Sequence, residues 1–446
     1  MTKINYQSHA VSRFDFNGIP EDVIQNSSDN NSIDVEKNAS DNLANGRPID
    51  YMMQQFAKIH IGDDEIGELL LLSIGCQLCS NTDGLHVNLS GQSGKGKTDA
   101  CKAMGFLLPE GYFISSSVSN KALFYMDLKP GSVVLIDDVD SFKEDMEQLI
   151  KSTTSFYQAG YKHYSTDLKK QGKFKVQEVM IPPRTTFWLT SVHSSFDTQV
   201  LNRFVKIDVD DGSDQDRVVL KQVLKGAVTG EYGYSVTNEV RICREMFHQL
   251  KDNPPCVVVI PFAEHLDWKN IENRRNPKMF LDLVKASAAL NQYQRNRTSE
   301  CHVIANMDDF NRATRLWKKI ERAQSTGLTG EEQRVLDEII NAGRNGISQK
   351  DLEIKCGMNK GSVSRAIHGK IQNNSDERKV GLKNKVVGLF YDNFYKVWIY
   401  DGKLEDQYPC VTLIGYSDAQ AIADGCVQLH QVARTMQPTN VCVSST

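Results

Sequence analysis

The chain has 446 residues, 40% of them apolar, with a mean hydropathy of -0.42 and a net charge of -4. That length suggests about three domains. The charge excludes a wholly basic nucleic-acid coat protein but leaves room for a local basic surface. No apolar run reaches the roughly 20 residues a bilayer demands, and the first residues carry no signal-peptide core. A cytoplasmic protein with no membrane partner is expected.

Residues 1–50 are expected to be disordered. They are polar, lack periodicity and carry 4 Lys/Arg against 8 Asp/Glu, too little apolar surface to offset the entropy of ordering. From Tyr51 the pattern changes. Met52, Phe56 and Ile59, then Ile66, Leu69, Leu70 and Ile74, recur at helical spacing. Cys76 and Cys79 have the CxxC spacing without a second pair. Buried helix packing is one reading; a metal or redox role is the other.

Residues 51–212 read as an α/β unit. Strands are expected at 85–89, 112–115, 133–136, 185–190 and 204–209, most of them separated by helical patterns, which predicts a parallel sheet covered by helices. After the first strand comes Gly91-Gln92-Ser93-Gly94-Lys95-Gly96-Lys97-Thr98, followed by a helix-forming run. Glycines at these positions let main-chain N–H groups converge on phosphate oxygens, and the helix N-terminus adds partial positive charge. All eight residues are candidates for binding ATP, the expected substrate. Lys97 would reach the β- and γ-phosphates, and the Thr98 hydroxyl would ligate Mg²⁺, the expected cofactor. A plain glycine turn is the alternative. About forty residues on, Val133-Val134-Leu135-Ile136-Asp137-Asp138 describes a buried strand with carboxylates at its C-terminal end. Ligands of such sheets bind at that end. Asp137 would help hold Mg²⁺ and Asp138 would polarise the attacking water.

Between 161 and 184, two alternating runs flank Lys169-Lys170-Gln171-Gly172 and read as a β-hairpin, with six Lys/Arg and two acids over that stretch. Residues 213–324 are mostly helical in pattern. Residues 331–403 read as helix, helix, short glycine turn, helix, then a two-stranded stretch, and 404–446 form a tail of unknown structure. From 344 to 403 there are 12 Lys/Arg and 6 acids.

The combination of phosphate loop and acidic strand resembles AAA+ ATPases, and the hairpin resembles the pre-sensor 1 hairpin of minichromosome-maintenance (MCM) and superfamily 3 helicases. The double Asp is closer to superfamily 3. The resemblance covers about residues 60–324 and implies several roles. Thr190 and Ser191 stand where the sensor 1 strand ends and would orient the attacking water. Arg203, in Leu201-Asn202-Arg203-Phe204, would be an arginine finger reaching a neighbouring subunit's ATP, or else a surface Arg capping a helix. Arg275 would be the sensor 2 arginine of a helical lid (213–324), or simple solvated charge. Lys169, Lys170 and Lys173, with His163, would grip DNA phosphates, or else form a solvated hairpin.

Residues 331–403 resemble a winged helix-turn-helix domain. Asn359, Lys360, Ser362, Ser364 and Arg365 would enter the major groove, unless the unit docks a protein. The whole implies a ring-forming motor: an MCM-like DNA helicase or replication initiator of mobile genetic elements, acting as a homo-oligomeric hexamer on DNA with a primase or other replication protein. The alternatives are a DNA-binding ATPase switch that loads or regulates without unwinding, and a remodeller that binds no nucleic acid.

Overall fold

The computed structural model describes residues 34–116, 128–137, 142, 144–168, 174–191, 198–209, 213–230, 233–268, 274–299, 302–325, 330–371, 378–386, 388–401 and 411–413. Three helices come first: α1 (Val35–Asn45), α2 (Pro48–Ile59) and α3 (Asp64–Gly75). The first corrects the expectation of disorder up to residue 50. Ala39 and Leu43, one turn apart, are buried, and α1 packs on the helix at 238–252. A single i, i+4 apolar pair makes no visible stripe, yet a tertiary partner can hold a short helix that water alone would not. Residues 1–33 lie outside the described residues. The helix α3 is buried from Ile66 to Gly75, which its Leu69–Leu72 run demands.

The sheet follows. Its first part is β1 (His86–Ser90), the glycine-rich loop, α4 (Lys97–Phe106), β2 (Phe113–Ser116), β3 (Val133–Ile136) and α5 (Glu144–Ser155). Then β4 (Tyr161–Leu168) and β5 (Phe174–Ile181) form the expected antiparallel hairpin, Tyr161 opposite Ile181 and Leu168 opposite Phe174. After it come β6 (Thr186–Ser191), α6 (Thr198–Leu201) and β7 (Phe204–Asp208). Five strands make one parallel sheet in the order β2-β3-β6-β1-β7. Strands covered on both faces read as unbroken apolar runs, and all four residues of β3 are buried. The helix α4 closes on the sheet at Gly105, where a Cβ would stand 2.4 Å from the Phe113 ring. Any larger residue there would push the helix, and the loop it starts from, off the sheet.

The next stretch holds α7 (Ser213–Thr229), α8 (Asn238–Asp252), β8 (Val257–Val259), β9 (Leu266–Trp268), α9 (Arg275–Leu290), β10 (Arg297–Ser299), β11 (His302–Ile304) and α10 (Met307–Ser325). Four helices stand in the stretch whose pattern reads as mostly helical. A small sheet, β10-β11-β8, was not foreseen, because three-residue strands are too short for alternation to register. The rings of Trp268, Phe280 and Trp317 meet edge-on with centroids 5.7–6.0 Å apart, an arrangement aromatic quadrupoles favour. Glu68 of α3, almost fully buried, pairs with Arg312 and Arg315 of α10.

A separate core organises α11 (Gly330–Ala342), α12 (Gln349–Cys356), α13 (Lys360–His368), β12 (Gly369–Ile371), β13 (Arg378–Val380), α14 (Leu382–Lys385), β14 (Leu389–Asp392) and β15 (Val397–Tyr400). Leu336, Ile339, Leu352, Val363, Ile367 and Trp398 fill it. Ser348 caps α12 by accepting the Asp351 N–H, and Asn359 caps α13 by accepting the Ser362 N–H; each cap contributes about 1 kcal/mol. The strand β16 (Val411–Leu413) lies in the stretch expected to be a tail. It pairs antiparallel with β9. No described helix is long and apolar enough to cross a membrane.

Candidate functional site

Three stretches distant in sequence meet at the carboxyl ends of the parallel strands. The glycine-rich loop follows Ser90, Asp137 follows Ile136, and Thr190 sits near the end of β6 between them. The register pairs Leu89 with Thr190 and Ile136 with Leu189. Gly91, Gly94 and Gly96 all have positive φ (141°, 78° and 85°), a conformation side-chain-bearing residues resist. A Cβ on Gly91 would also strike Val209 at 2.6 Å.

Lys97 is the first residue of α4 and is only 7% exposed. Its ammonium donates to the carbonyls of Gly91 and Gln92, at 2.8 and 2.7 Å. The lysine thus folds back across the loop. The Thr98 hydroxyl donates to Asp137 Oδ1 at 2.5 Å, and the Thr190 hydroxyl donates to the same oxygen at 2.6 Å. Two hydroxyls and a carboxylate on one point form a compact set of hard oxygen donors, the chemistry Mg²⁺ prefers. Thr98 and Asp137 would hold the ion, whose role would be to neutralise phosphate charge. Ser191 does not join them: it is fully buried, and its hydroxyl donates to Asn88 at 3.3 Å. Of the two polar residues at the strand tip, Thr190 is the one turned toward the carboxylate. Asp138 lies outside the described residues.

Replacing Asp137 by asparagine keeps the shape and removes the charge. The variant is expected to bind nucleotide yet to lose at least about 100-fold in Mg²⁺-dependent turnover. Phosphate release measured across a Mg²⁺ titration would check this.

A second cluster braces the loop from behind, and sequence reasoning missed it. The His60 ring lies against Gly96, its Cε1 3.4 Å from where a Cβ would stand. Nδ1 is 2.7 Å from Asp99 Oδ2 and Nε2 is 3.1 Å from Asp63 Oδ2. Asp99 sits in the first turn of α4, where a carboxylate is favoured; Tyr234 donates to its other oxygen at 2.6 Å. Asp63 adopts a left-handed conformation, φ 55°, which Asp tolerates better than most residues. Burial alone would lower the His60 pKa. The hydrogen bonds and charges of Asp63 and Asp99 overcome it and raise the value from 6.5 to about 9. The imidazolium therefore contributes stability that is complete below pH 6.5 and lost as pH rises through about 9. A thermal unfolding series from pH 6 to 10 is expected to show this decline, and His60→Asn should flatten it. The clue in the sequence was Asp99, an acid one residue after the loop. Its partner precedes it by 39 residues, beyond any local pattern.

Lys95 leaves the loop and pairs with Asp216 of α7 at 2.6 Å. That helix exposes Leu220, Leu224 and Val228, spaced four residues apart on one face.

The remaining candidates lie elsewhere. Arg203 precedes β7, and Phe204 pairs with His86, at the opposite end of β1 from the loop. Four residues of strand, about 13 Å, separate those ends. Arg203 donates to the Gln199 carbonyl at 2.5 Å, at the end of α6. Arg275 is exposed at the start of α9. One turn on, Lys278 pairs with Asp83, just ahead of β1, so this arginine also belongs to the amino end of the sheet. His163 pairs with Val179 in the hairpin register; Lys169, Lys170 and Lys173 lie outside the described residues. Asn359, Lys360 and Arg365 are exposed on α13. Ser362 corrects its expected role. It is 7% exposed and its hydroxyl accepts from Arg365 at 3.0 Å, so it faces inward with Val363, Ala366 and Ile367. That shared helical face was visible in the spacing. Cys76 and Cys79 are both buried; the Cys76 thiol donates to the Asp282 carbonyl at 3.4 Å, and burial pushes its pKa up.

Residues 32–253 match the family described as the MTBMA_p00010 P-loop domain. The chain carries a nucleotide-binding P-loop domain. A curated relative named "Uncharacterized protein MTBMA_p00010", from Methanothermobacter marburgensis, is 26% identical over 383 residues. The match takes in 78% of this chain and 46% of that protein, so the chain spans a little under half the relative's length. The matched P-loop region contains the glycine-rich loop, Asp137, Thr190, Arg203 and the His60 cluster.

Proposed function

We propose that the chain is an ATPase that assembles head-to-tail into a hexameric ring and moves on DNA as an MCM-like helicase or replication initiator. One observation carries the reading: the nucleotide half-site and the two candidate arginines occupy opposite ends of one parallel sheet. Arg203 is too far from its own phosphate loop to touch a nucleotide there. A second copy, docked with the amino end of its sheet against the first copy's loop, would bring Arg203 and Arg275 to the phosphates. The open apolar face of α7, tied to the loop through Lys95 and Asp216, supports such an interface.

Two features favour DNA as the track. The hairpin β4–β5 is inserted between β3 and β6, and the sequence that joins its two strands holds Lys169, Lys170 and Lys173. The C-terminal unit, read as a winged helix, presents Lys360 and Arg365 on an exposed helix face. Phosphate contacts of this kind give affinity without sequence preference.

Strand displacement on a forked duplex with ATP and Mg²⁺ tests the proposal. Displacement that Lys169→Ala/Lys170→Ala abolishes, with nucleotide binding intact, supports the motor. DNA-stimulated ATPase with no displacement would favour the loader or regulator reading. Absence of any salt-dependent DNA affinity would discard DNA altogether.

A further inference from the structure

The hairpin of the C-terminal unit carries a feature that neither the nucleotide site nor the α13 reading uses. Between β14 and β15 the chain turns through Asn393, Phe394, Tyr395 and Lys396. Phe394 is 84% exposed and Tyr395 71%, and below them Phe390 and Tyr391 are 42% and 37% exposed. The same unit buries Trp398 and Tyr400 almost completely. The two tip rings lie edge to face with centroids 4.9 Å apart. Their backbone is fixed: Asp392 Oδ1 accepts from the N–H of Phe394 at 2.8 Å and of Tyr395 at 3.0 Å. Lys396 closes the turn at φ 56°. The hairpin is itself anchored. Tyr391 packs on Trp398 at 5.0 Å, and His368, the last residue of α13, meets Trp398 at 5.6 Å.

We propose that the Phe394–Tyr395 tip is a stacking platform for the unpaired bases of a nucleic acid strand. The inference rests on the DNA reading above and deepens it by naming a second contact surface and the part of the strand it takes. Charge decides the occupant. Residues 344–403 carry 12 Lys/Arg against 6 Asp/Glu in a chain whose net charge is -4, and Lys396 directly follows Tyr395. Two such units would repel each other, which disfavours a second copy of the tip as partner. Exposed planar rings on a unit with an excess of Lys and Arg match what an exposed strand offers: flat base faces joined by phosphates. Every base has a π-face, so the tip would hold a strand without reading it. The fixed turn keeps the rings presented, so little conformational freedom is lost on binding.

The test uses the full chain and three fluorescent oligonucleotides of one length: oligo(dT), an abasic strand of equal charge, and a blunt duplex. Anisotropy titrations are expected to show tighter binding to oligo(dT) than to the abasic strand. Phe394→Ala/Tyr395→Ala should weaken oligo(dT) binding by about 10-fold or more, down to the abasic level. Abasic binding and its salt slope should not change, and Phe394→Trp/Tyr395→Trp should restore the preference. If the alanine pair keeps the wild-type preference for oligo(dT) while Lys360→Ala/Arg365→Ala lowers DNA affinity, the tip proposal fails and the DNA reading stands. If the wild-type chain binds none of the three, both fail. Loss of an oligomer on gel filtration, or of co-sedimentation with anionic vesicles, in the alanine pair with unchanged DNA binding would assign the tip to a second copy or to a membrane surface and overturn the proposal.

Discussion

Lys97→Ala is expected to lower nucleotide turnover by about 10²–10³-fold, the usual cost of removing one well-placed donor from a site of developing negative charge. The geometry gives the reason. The Lys97 ammonium is nearly buried and bonded to the Gly91 and Gln92 carbonyls. It is held over the loop before any phosphate arrives, so little ordering is needed when one does. Those carbonyls belong to the loop itself, and deleting the ammonium leaves Thr98 and Asp137 joined. The variant should therefore fold with a melting temperature close to that of the parent. Phosphate release and binding of a fluorescent nucleotide analogue would check both halves. A variant that turns over nucleotide at the parental rate would remove Lys97 from the site.

The second large effect concerns Arg203. Arg203→Ala should leave nucleotide binding intact and cut hydrolysis by about 10³-fold or more, the scale of an arginine supplied to a transferring phosphoryl group. Arg203 lies at the end of the sheet opposite the phosphate loop, so on the proposed reading it serves a neighbouring copy's site. Mixing therefore gives a sharper result than either variant alone. In a ring mixed one to one with Lys97→Ala, about a quarter of the head-to-tail interfaces would pair an intact loop with an intact finger. Hydrolysis should return to roughly that share of the parental rate. A mixture as inactive as its components would rule out a site shared between copies. Retained hydrolysis by Arg203→Ala alone would reduce this residue to the helix-end cap that its bond to the Gln199 carbonyl already makes.

Much of the sheet was legible because parallel strands leave a plain trace. Val133–Ile136 is four apolar residues followed by an acid, Asp137, and the glycine spacing from Gly91 marks a backbone that must turn tightly toward a ligand. The hairpin was legible too, since β-prone stretches, each eight residues long as strands, stand on either side of Lys169-Lys170-Gln171-Gly172. Other features left weaker traces. The helix α1 is held by two side chains, Ala39 and Leu43, inside a stretch whose composition reads as disorder. The His60 cluster joins Asp63, Asp99 and Tyr234, contacts made only after the chain has folded over itself. Ser362 shows the opposite error. A small polar residue on a basic helix suggests a DNA contact, but its place beside Val363, Ala366 and Ile367 turns it inward.

The pairing of β16 with β9 has a mechanical meaning. The C-terminal unit is entered from α10, and the chain leaves it to add a strand beside Leu266–Trp268. Both of its leads are thus stitched to the body that carries α9 and α10. A module on one leash sweeps a wide sphere, whereas one moored fore and aft is confined to a narrow arc. Confinement raises the local concentration of whatever that module holds, so if the proposed DNA contact is made there, the strand would stay within reach of the nucleotide-binding body while other contacts let go.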